Sequence, residues 1–247
     1  MGCDFNHRFN AARHSNFTQN ESSRIPNLVL MKKSIQIPSY IEYQTGYKRI
    51  FTVSDLYRTL VQAPAAIRKL RYNQKKGLIN LLFIERLQLA VTQVNACPAC
   101  SYAHAYLALK AGMDNEEIQA FLSGSTDFVK AEEAKALLFA QHFAEKGGLP
   151  YRVAFEEIQL EYGPIKARII LAALQVMLLG NIFGLPYSAL SARSKGRPYS
   201  NSTLGYEAGM LVAFFLLLPF AMLQAFLYGL LGLPTTHFGS ANSELEE

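Results

Sequence analysis

The sequence has few cysteines, little charge and no apolar run near its start. Its 247 residues include three cysteines, too few for the disulfide framework of a small secreted domain. No segment of residues 1–30 has the apolar core of a secretory signal, so none is expected. Charged residues make up 17% of the chain, below the roughly 25% of ordinary soluble proteins. The shortfall is concentrated near the C-terminus.

The sequence also lacks a dense basic stripe. Net charge is +5, but the lysines and arginines are scattered along the chain. One modest cluster comprises Lys69, Arg71, Lys75 and Lys76, which we interpret as a solvated helix end. A nucleic-acid partner is therefore not expected.

No window alternates apolar and polar residues as a half-buried strand would, and the pattern predicts an all-α fold. Prolines and glycines mark helix starts and stops. The stretch 77–94 is apolar on nearly every face, which predicts a central buried helix. The predicted helices cover about 52–61, 64–69, 77–94, 98–111, 114–123, 126–144, 151–160 and 165–183.

Composition divides the chain into five parts. We predict a flexible arm (1–45), a helical domain (46–190), a polar linker (191–203), a hydrophobic helix (204–234) and an acidic tail (235–247). Met31 is a plausible alternative start, so residues 1–30 are interpreted as an upstream extension without function.

The hydrophobic helix is long enough to cross a bilayer. Residues 208–233 contain no charged side chain, and at about 1.5 Å per residue they exceed a bilayer core of about 30 Å. We interpret this segment as a membrane anchor. Basic residues precede it and acidic residues follow it, which places the main domain in the cytoplasm. The alternative is a helix docked on the domain or in an oligomer interface.

Cys97, Cys100 and His104 carry the clearest chemical signal. With Pro98 at the first helical position, Cys97 is the N-cap and Cys100 lies in the first turn. Unpaired backbone N–H groups and the helix dipole favour a thiolate there. His104 lies one turn beyond Cys100 on the same face.

This spacing provides a nucleophile, a resolving thiol and a base, the groups of a cysteine-based peroxidase or a thiol–disulfide oxidoreductase. We assign attack to Cys100, because it is nearer His104, and resolution to Cys97. The spacing alone also permits the reverse assignment. After attack on a peroxide, the sulfenic acid on one cysteine condenses with the other to a disulfide.

Three other interpretations remain open. The cysteines could be small buried apolar residues. They could bind zinc with a histidine, although the other histidines have no matching spacing for a four-ligand structural site. His104 could be a core histidine with satisfied hydrogen bonds. No metal or cofactor is expected.

These residues, together with Glu85, resemble the alkyl hydroperoxidase D-like branch of the carboxymuconolactone decarboxylase family. That branch carries a glutamate followed by Cys-x-x-Cys-x-x-x-His, matched here by Glu85, Cys97, Cys100 and His104. The position of Pro64 and the turn at 111–118 also fit. The resemblance covers roughly residues 50–190.

The resemblance implies an alkyl hydroperoxidase D-like helical bundle that forms homo-oligomers. It implies peroxide reduction in antioxidant defence, with Glu85 and His104 in a proton relay to Cys100 and Cys97. A lipoyl group or a thioredoxin-like protein would supply the reducing dithiol. Without the resemblance, Glu85 could be a structural residue paired with Arg86 or with another basic residue.

Two other functions stay open. One is lactone processing of the carboxymuconolactone decarboxylase type, in which the cysteines are incidental. The other is a membrane-tethered, non-enzymatic redox sensor. If the anchor is real, a lipid hydroperoxide at the membrane surface is a further candidate substrate.

Overall fold

The computed structural model describes residues 38–239, which form eight helices and no β-strand. The predicted all-α fold is confirmed. The helices are α1 Ser39–Glu42, α2 Val53–Lys76, α3 Leu81–Asn95, α4 Pro98–Lys110, α5 Asn115–Ser123, α6 Ala134–Glu145, α7 Arg152–Ser194 and α8 Leu204–Leu230.

Helix α3 lies at the centre, where it packs against α4, α5, α6 and α7. Leu87, Leu89 and Val91 on this helix have no exposed surface. The helix begins later than predicted, because the Asn80 side chain accepts a hydrogen bond from the Phe83 N–H at 2.7 Å and so caps it. The central position that the apolar pattern predicted is found.

Helix α2 is one continuous helix, so the prediction of two short helices split before Pro64 is wrong. Pro64 lies inside it and removes one backbone hydrogen bond. The buried face that packs on α7 and α8 outweighs this loss. A reciprocal cap between Thr52 and Asp55 starts the helix, and Gly77 ends it at φ 63°.

Helix α6 begins at Ala134, not near residue 126 as predicted. The Ser125 hydroxyl donates to the Asp127 carboxylate at 2.7 Å and accepts from the Asp127 N–H at 3.1 Å. Such local bonds compete with helix formation. The residues between α5 and α6 therefore form turns.

Helix α7 consists of two helical segments, because Gly163 has φ 78° and ψ 157°. The predicted break before Pro164 is confirmed. The second segment does not end near Phe183 as predicted but continues through Pro186 to Ser194. Part of the predicted linker therefore belongs to this helix.

The remainder of that linker packs on the chain around residues 45–47, where the predicted arm meets the predicted domain. The Asn201 side chain pairs with both backbone groups of Tyr47, at 2.8 and 2.9 Å. Ile41 is 1% exposed, and the Tyr40 hydroxyl donates to the Leu122 carbonyl. Within the part of the predicted arm that the structure describes, Ile41 and Tyr40 therefore contact the domain, while residues 1–37 lie outside the described part.

Helix α8 packs along α2 and α7. Among the described helices, α7 and α8 are the two that are long and apolar enough to cross a membrane, by length and composition alone. The apolar window of α7 is 78% buried, whereas that of α8 is 17% buried. Both ends of α8 contact the domain, through Glu207 with Arg193 and through Gln224 with Tyr57.

Candidate active site

The turn between α3 and α4 positions the cysteines. Ala96 ends α3 in the left-handed region, at φ 50° and ψ 54°, a conformation that costs a non-glycine residue about 1–2 kcal/mol. The chain then returns to extended backbone at Cys97, and Pro98 opens α4. This makes Cys97 the N-cap and places Cys100 in the first turn, as the sequence predicted for the helix.

Both sulfurs are free thiols with separate partners. The Cys97 sulfur accepts a hydrogen bond from the Cys100 N–H at 3.3 Å. The Cys100 thiol donates to the Gly180 carbonyl of α7 at 3.3 Å. Cys97 is 0% exposed and Cys100 is 7% exposed, so Cys100 is the more accessible of the two.

Burial raises the pKa of the Cys97 thiol well above its ordinary value. The proximity of Cys100 adds to this effect, and backbone N–H groups of Cys100 and Ala99 oppose it. The sequence predicted that the helix N-terminus would favour a thiolate at both cysteines. At Cys97 the N–H groups act in that direction, but desolvation exceeds them, so the net effect on the Cys97 pKa favours the protonated thiol.

Glu85 of α3 meets His104 of α4 in a nearly buried pair. The Glu85 Oε2 atom lies 2.9 Å from His104 Nδ1, with the two side chains 5% and 18% exposed. A carboxylate only accepts hydrogen bonds, so Nδ1 carries the proton and Nε2 is the basic nitrogen. His104 lies one helical turn beyond Cys100, on the same face of α4.

Arg86 is engaged elsewhere. Its guanidinium contacts the Glu117 carboxylate at 2.6 Å and the Glu133 carboxylate at 3.0 Å. These pairs tie α3 to the start of α5 and to the residue that precedes α6. The structural alternative, in which Arg86 balances Glu85, therefore has no ion pair to support it in the described part of the chain.

The part of α7 that packs against the two sulfurs was not predicted from the sequence. A Cβ atom at Gly184 of α7 would lie 2.7 Å from both cysteine sulfurs, a distance too short for any side chain. One turn on, the Ser188 hydroxyl accepts from the Ala99 N–H at 3.2 Å and donates to the Gly184 carbonyl at 2.7 Å. A weak signal existed, because Gly180, Gly184 and Ser188 form a row of small residues at four-residue spacing.

A buried amide network lies close to the turn that carries Cys97. The Asn95 amide donates to the Asn181 side-chain oxygen at 2.8 Å, and the Asn181 amide donates to the Thr92 hydroxyl at 3.3 Å. All three residues are 0% exposed. Buried polar groups of this kind fix the register of α3 against α7.

A cavity of about 350 Å³ lies beside the N-terminus of α4. Pro98 and Ala99 form its wall on the cysteine side, and Lys195, Arg197 and Tyr199 line other parts of it. Tyr199 is 4% exposed, and its pKa is raised, chiefly by burial. Neither Cys97 nor Cys100 lines the cavity.

Among residues 38–239, no group of three or more His, Cys, Asp or Glu side chains is arranged so that it could hold a metal ion. The zinc interpretation of Cys97 and Cys100 therefore lacks a ligand set within the described residues.

Residues 60–142 match the family model for the carboxymuconolactone decarboxylase family. This chain contains a carboxymuconolactone decarboxylase family domain. The match runs from inside α2 to inside α6 and includes Glu85, Cys97, Cys100 and His104. The family includes enzymes, and the match does not choose among its activities. No curated protein and no solved structure matches the chain.

Most of α7 and all of α8 lie outside the matched family segment. Gly184, which closes over the sulfurs, is therefore supplied by a part of the chain that the family match does not cover.

Proposed function

We propose that this family member is a thiol peroxidase of the alkyl hydroperoxidase D-like kind, cycling through a Cys97–Cys100 disulfide. The observation that carries the proposal is the placement of two free cysteines at the start of α4 together with His104, which lies one turn beyond Cys100 and is paired with Glu85 of α3. A nucleophile, a second thiol and an oriented base are the groups that this chemistry requires.

In the first step, His104 Nε2 accepts the Cys100 thiol proton. The Cys100 sulfur attacks the terminal oxygen of the hydroperoxide, and the O–O bond breaks. The alkoxide leaves and takes a proton to become the alcohol, while Cys100 becomes a sulfenic acid. Glu85 holds the His104 ring and stabilises its protonated form.

In the second step, the Cys97 sulfur attacks the Cys100 sulfenic sulfur. An S–S bond forms, the S–O bond breaks, and the hydroxyl leaves as water with the Cys97 proton. A dithiol reductant, either a lipoyl group or a thioredoxin-like protein, then reduces the disulfide by thiol exchange and becomes oxidised. Exposure supports this order, because Cys97 is fully buried and its protonated thiol is favoured, while Cys100 retains some exposed surface.

Membrane contact and homo-oligomer formation belong to the same proposal. The outer face of α8 exposes large apolar side chains, among them Phe215, Leu216, Phe220 and Phe226. Such a face is buried by a bilayer or by another protein surface. One side of α8 packs on α2 and α7, and the helix is bonded to the domain near both ends. The placement of α8 therefore favours contact of its other, exposed side with a bilayer or a protein surface. A domain in the cytoplasm at the inner face of a membrane fits the charge pattern.

Peroxide turnover tests the proposed activity. We expect the full chain with excess dithiol to consume many equivalents of peroxide, Cys100→Ser to be inactive, and Cys97→Ser to turn over poorly. Stoichiometric consumption without cycling in the wild type would favour the redox sensor. Lactone decarboxylation that survives replacement of both cysteines would favour the decarboxylase-like function.

A further inference from the structure

A second cavity lies far from the cysteines. Its volume is about 820 Å³, and α2, the second segment of α7, and α8 with the chain that follows it form its walls. Ligand pockets commonly have volumes of about 300–1,000 Å³. Fifteen residues of α7 separate Ile169 in this cavity from Gly184 at the sulfurs, about 22 Å along a helix.

One side of the cavity is cationic. Arg68, Lys69 and Arg168 all line it. None of these side chains forms an ion pair with a carboxylate in the described part of the chain, in contrast to Arg86 and Arg193. The pKa of Lys69 is lowered, first by burial and then by the charges of Arg168 and Arg68. Three neighbouring cations therefore lack a visible counter-charge.

The backbone adds to the positive potential. Ile165 and Arg168 belong to the start of the second α7 segment, after the break at Gly163. The N-terminal end of a helix carries partial positive charge and favours anions. A cationic side chain is unfavourable there unless an anion is also present.

The opposite side of the cavity is apolar. Met222, Phe226 and Leu233 line it from α8 and the chain beyond, and all three are exposed in the chain as it stands. This wall continues into the exposed apolar face of α8. A ligand that satisfies both sides needs an acidic head and a hydrocarbon body.

We propose that this cavity binds a single-chain anionic amphiphile. Its carboxylate or phosphate lies against Arg68, Lys69 and Arg168, and its acyl chain lies against the apolar wall of α8. The ligand could be a free fatty acid or the head and one chain of an anionic membrane lipid, which share this chemistry. The inference does not depend on the proposed thiol chemistry.

Binding of radiolabelled palmitate to the purified full chain, measured by equilibrium dialysis, tests the proposal. Gly229 lines the cavity, and a Cβ atom there meets nothing within 4 Å, so the Gly229→Leu side chain should occupy part of the cavity without a backbone clash. Gly209→Leu is the matched control, because Gly209 is also on α8 with open space and lies outside the cavity.

The charged side is tested by the double variant Lys69→Met and Arg168→Met. Its control is Lys75→Met with Lys76→Met, at the exposed end of α2. We expect saturable binding that weakens roughly tenfold or more in Gly229→Leu and in the first double variant. Both controls should bind like the wild type, and palmityl alcohol should compete poorly.

Equal palmitate binding by all variants would overturn the proposal, since it would show partitioning onto the outer face of α8. If palmityl alcohol competed as well as palmitate, the proposed requirement for an acidic head group would be wrong. Vesicle flotation separates the two sources of ligand. Flotation with anionic phospholipid vesicles that requires Lys69 and Arg168 indicates a membrane lipid, whereas palmitate binding without such flotation indicates a free acid.

Discussion

Gly184→Ala is expected to slow peroxide-driven formation of the Cys97–Cys100 disulfide by about a hundredfold, because displacing reacting groups by about 1 Å can cost that much. The added methyl carbon would stand 2.7 Å from each sulfur. Both thiols are on short, buried side chains, so the sulfurs or the α4 start must shift. The measurement is the rate of disulfide formation after a peroxide pulse, followed by alkylation and mass spectrometry.

Gly180→Ala is the matched control. Gly180 lies one turn earlier on α7, and a Cβ atom there meets nothing within 4 Å. Its carbonyl, which accepts from the Cys100 thiol, is retained. Both changes replace a helical glycine and should raise helix propensity similarly. Equal rates in the two variants would contradict a role for Gly184 in placing the sulfurs.

Glu85→Gln is expected to lower kcat/KM for peroxide by about two orders of magnitude, within the range of a lost acid–base contribution. The amide can still bond to His104 Nδ1 but carries no charge to stabilise the protonated ring. The rate of iodoacetamide alkylation at Cys100 should fall as well, because proton acceptance by His104 becomes less favourable. That readout is independent of turnover.

Glu116→Gln provides the comparison for loss of one carboxylate, since Glu116 is exposed in the first turn of α5. We expect wild-type kinetics from it. If Glu85→Gln retained both wild-type turnover and wild-type alkylation of Cys100, Glu85 would be a structural partner of His104 and the proposed relay would be wrong.

The sequence predicted the helical class and the placement of Cys97 at the start of α4, because these depend on local signals. Pro98 sets a helix start by its fixed φ angle and missing N–H. The continuous run of α2 through Pro64 was not predictable locally, since packing on α7 and α8 outweighs the lost hydrogen bond. Propensity is a weak guide where tertiary contacts are strong.

In the candidate site, too, the contacts within one helix were predictable from the sequence, and the contacts between helices were not. Spacing along α4 relates Cys100 to His104, but Glu85 lies on another helix, and the sequence linked it to the motif through family resemblance alone. Gly184 lies more than 80 positions along the chain from the cysteines beside it, and Ser188 is similarly distant from Ala99, from whose N–H it accepts a hydrogen bond. A glycine that serves by having no side chain gives little chemical signal in a single sequence.

The redox state of Cys97 and Cys100 after one equivalent of peroxide tests the central claim most directly. The reduced full chain would be treated, quenched with an alkylating reagent and mapped by mass spectrometry. We predict a Cys97–Cys100 disulfide in the wild type and a dimedone-reactive sulfenic acid on Cys100 in Cys97→Ser. If both cysteines remained free thiols that alkylate fully once the protein is unfolded, the pair would be structural and the thiol peroxidase account would be contradicted.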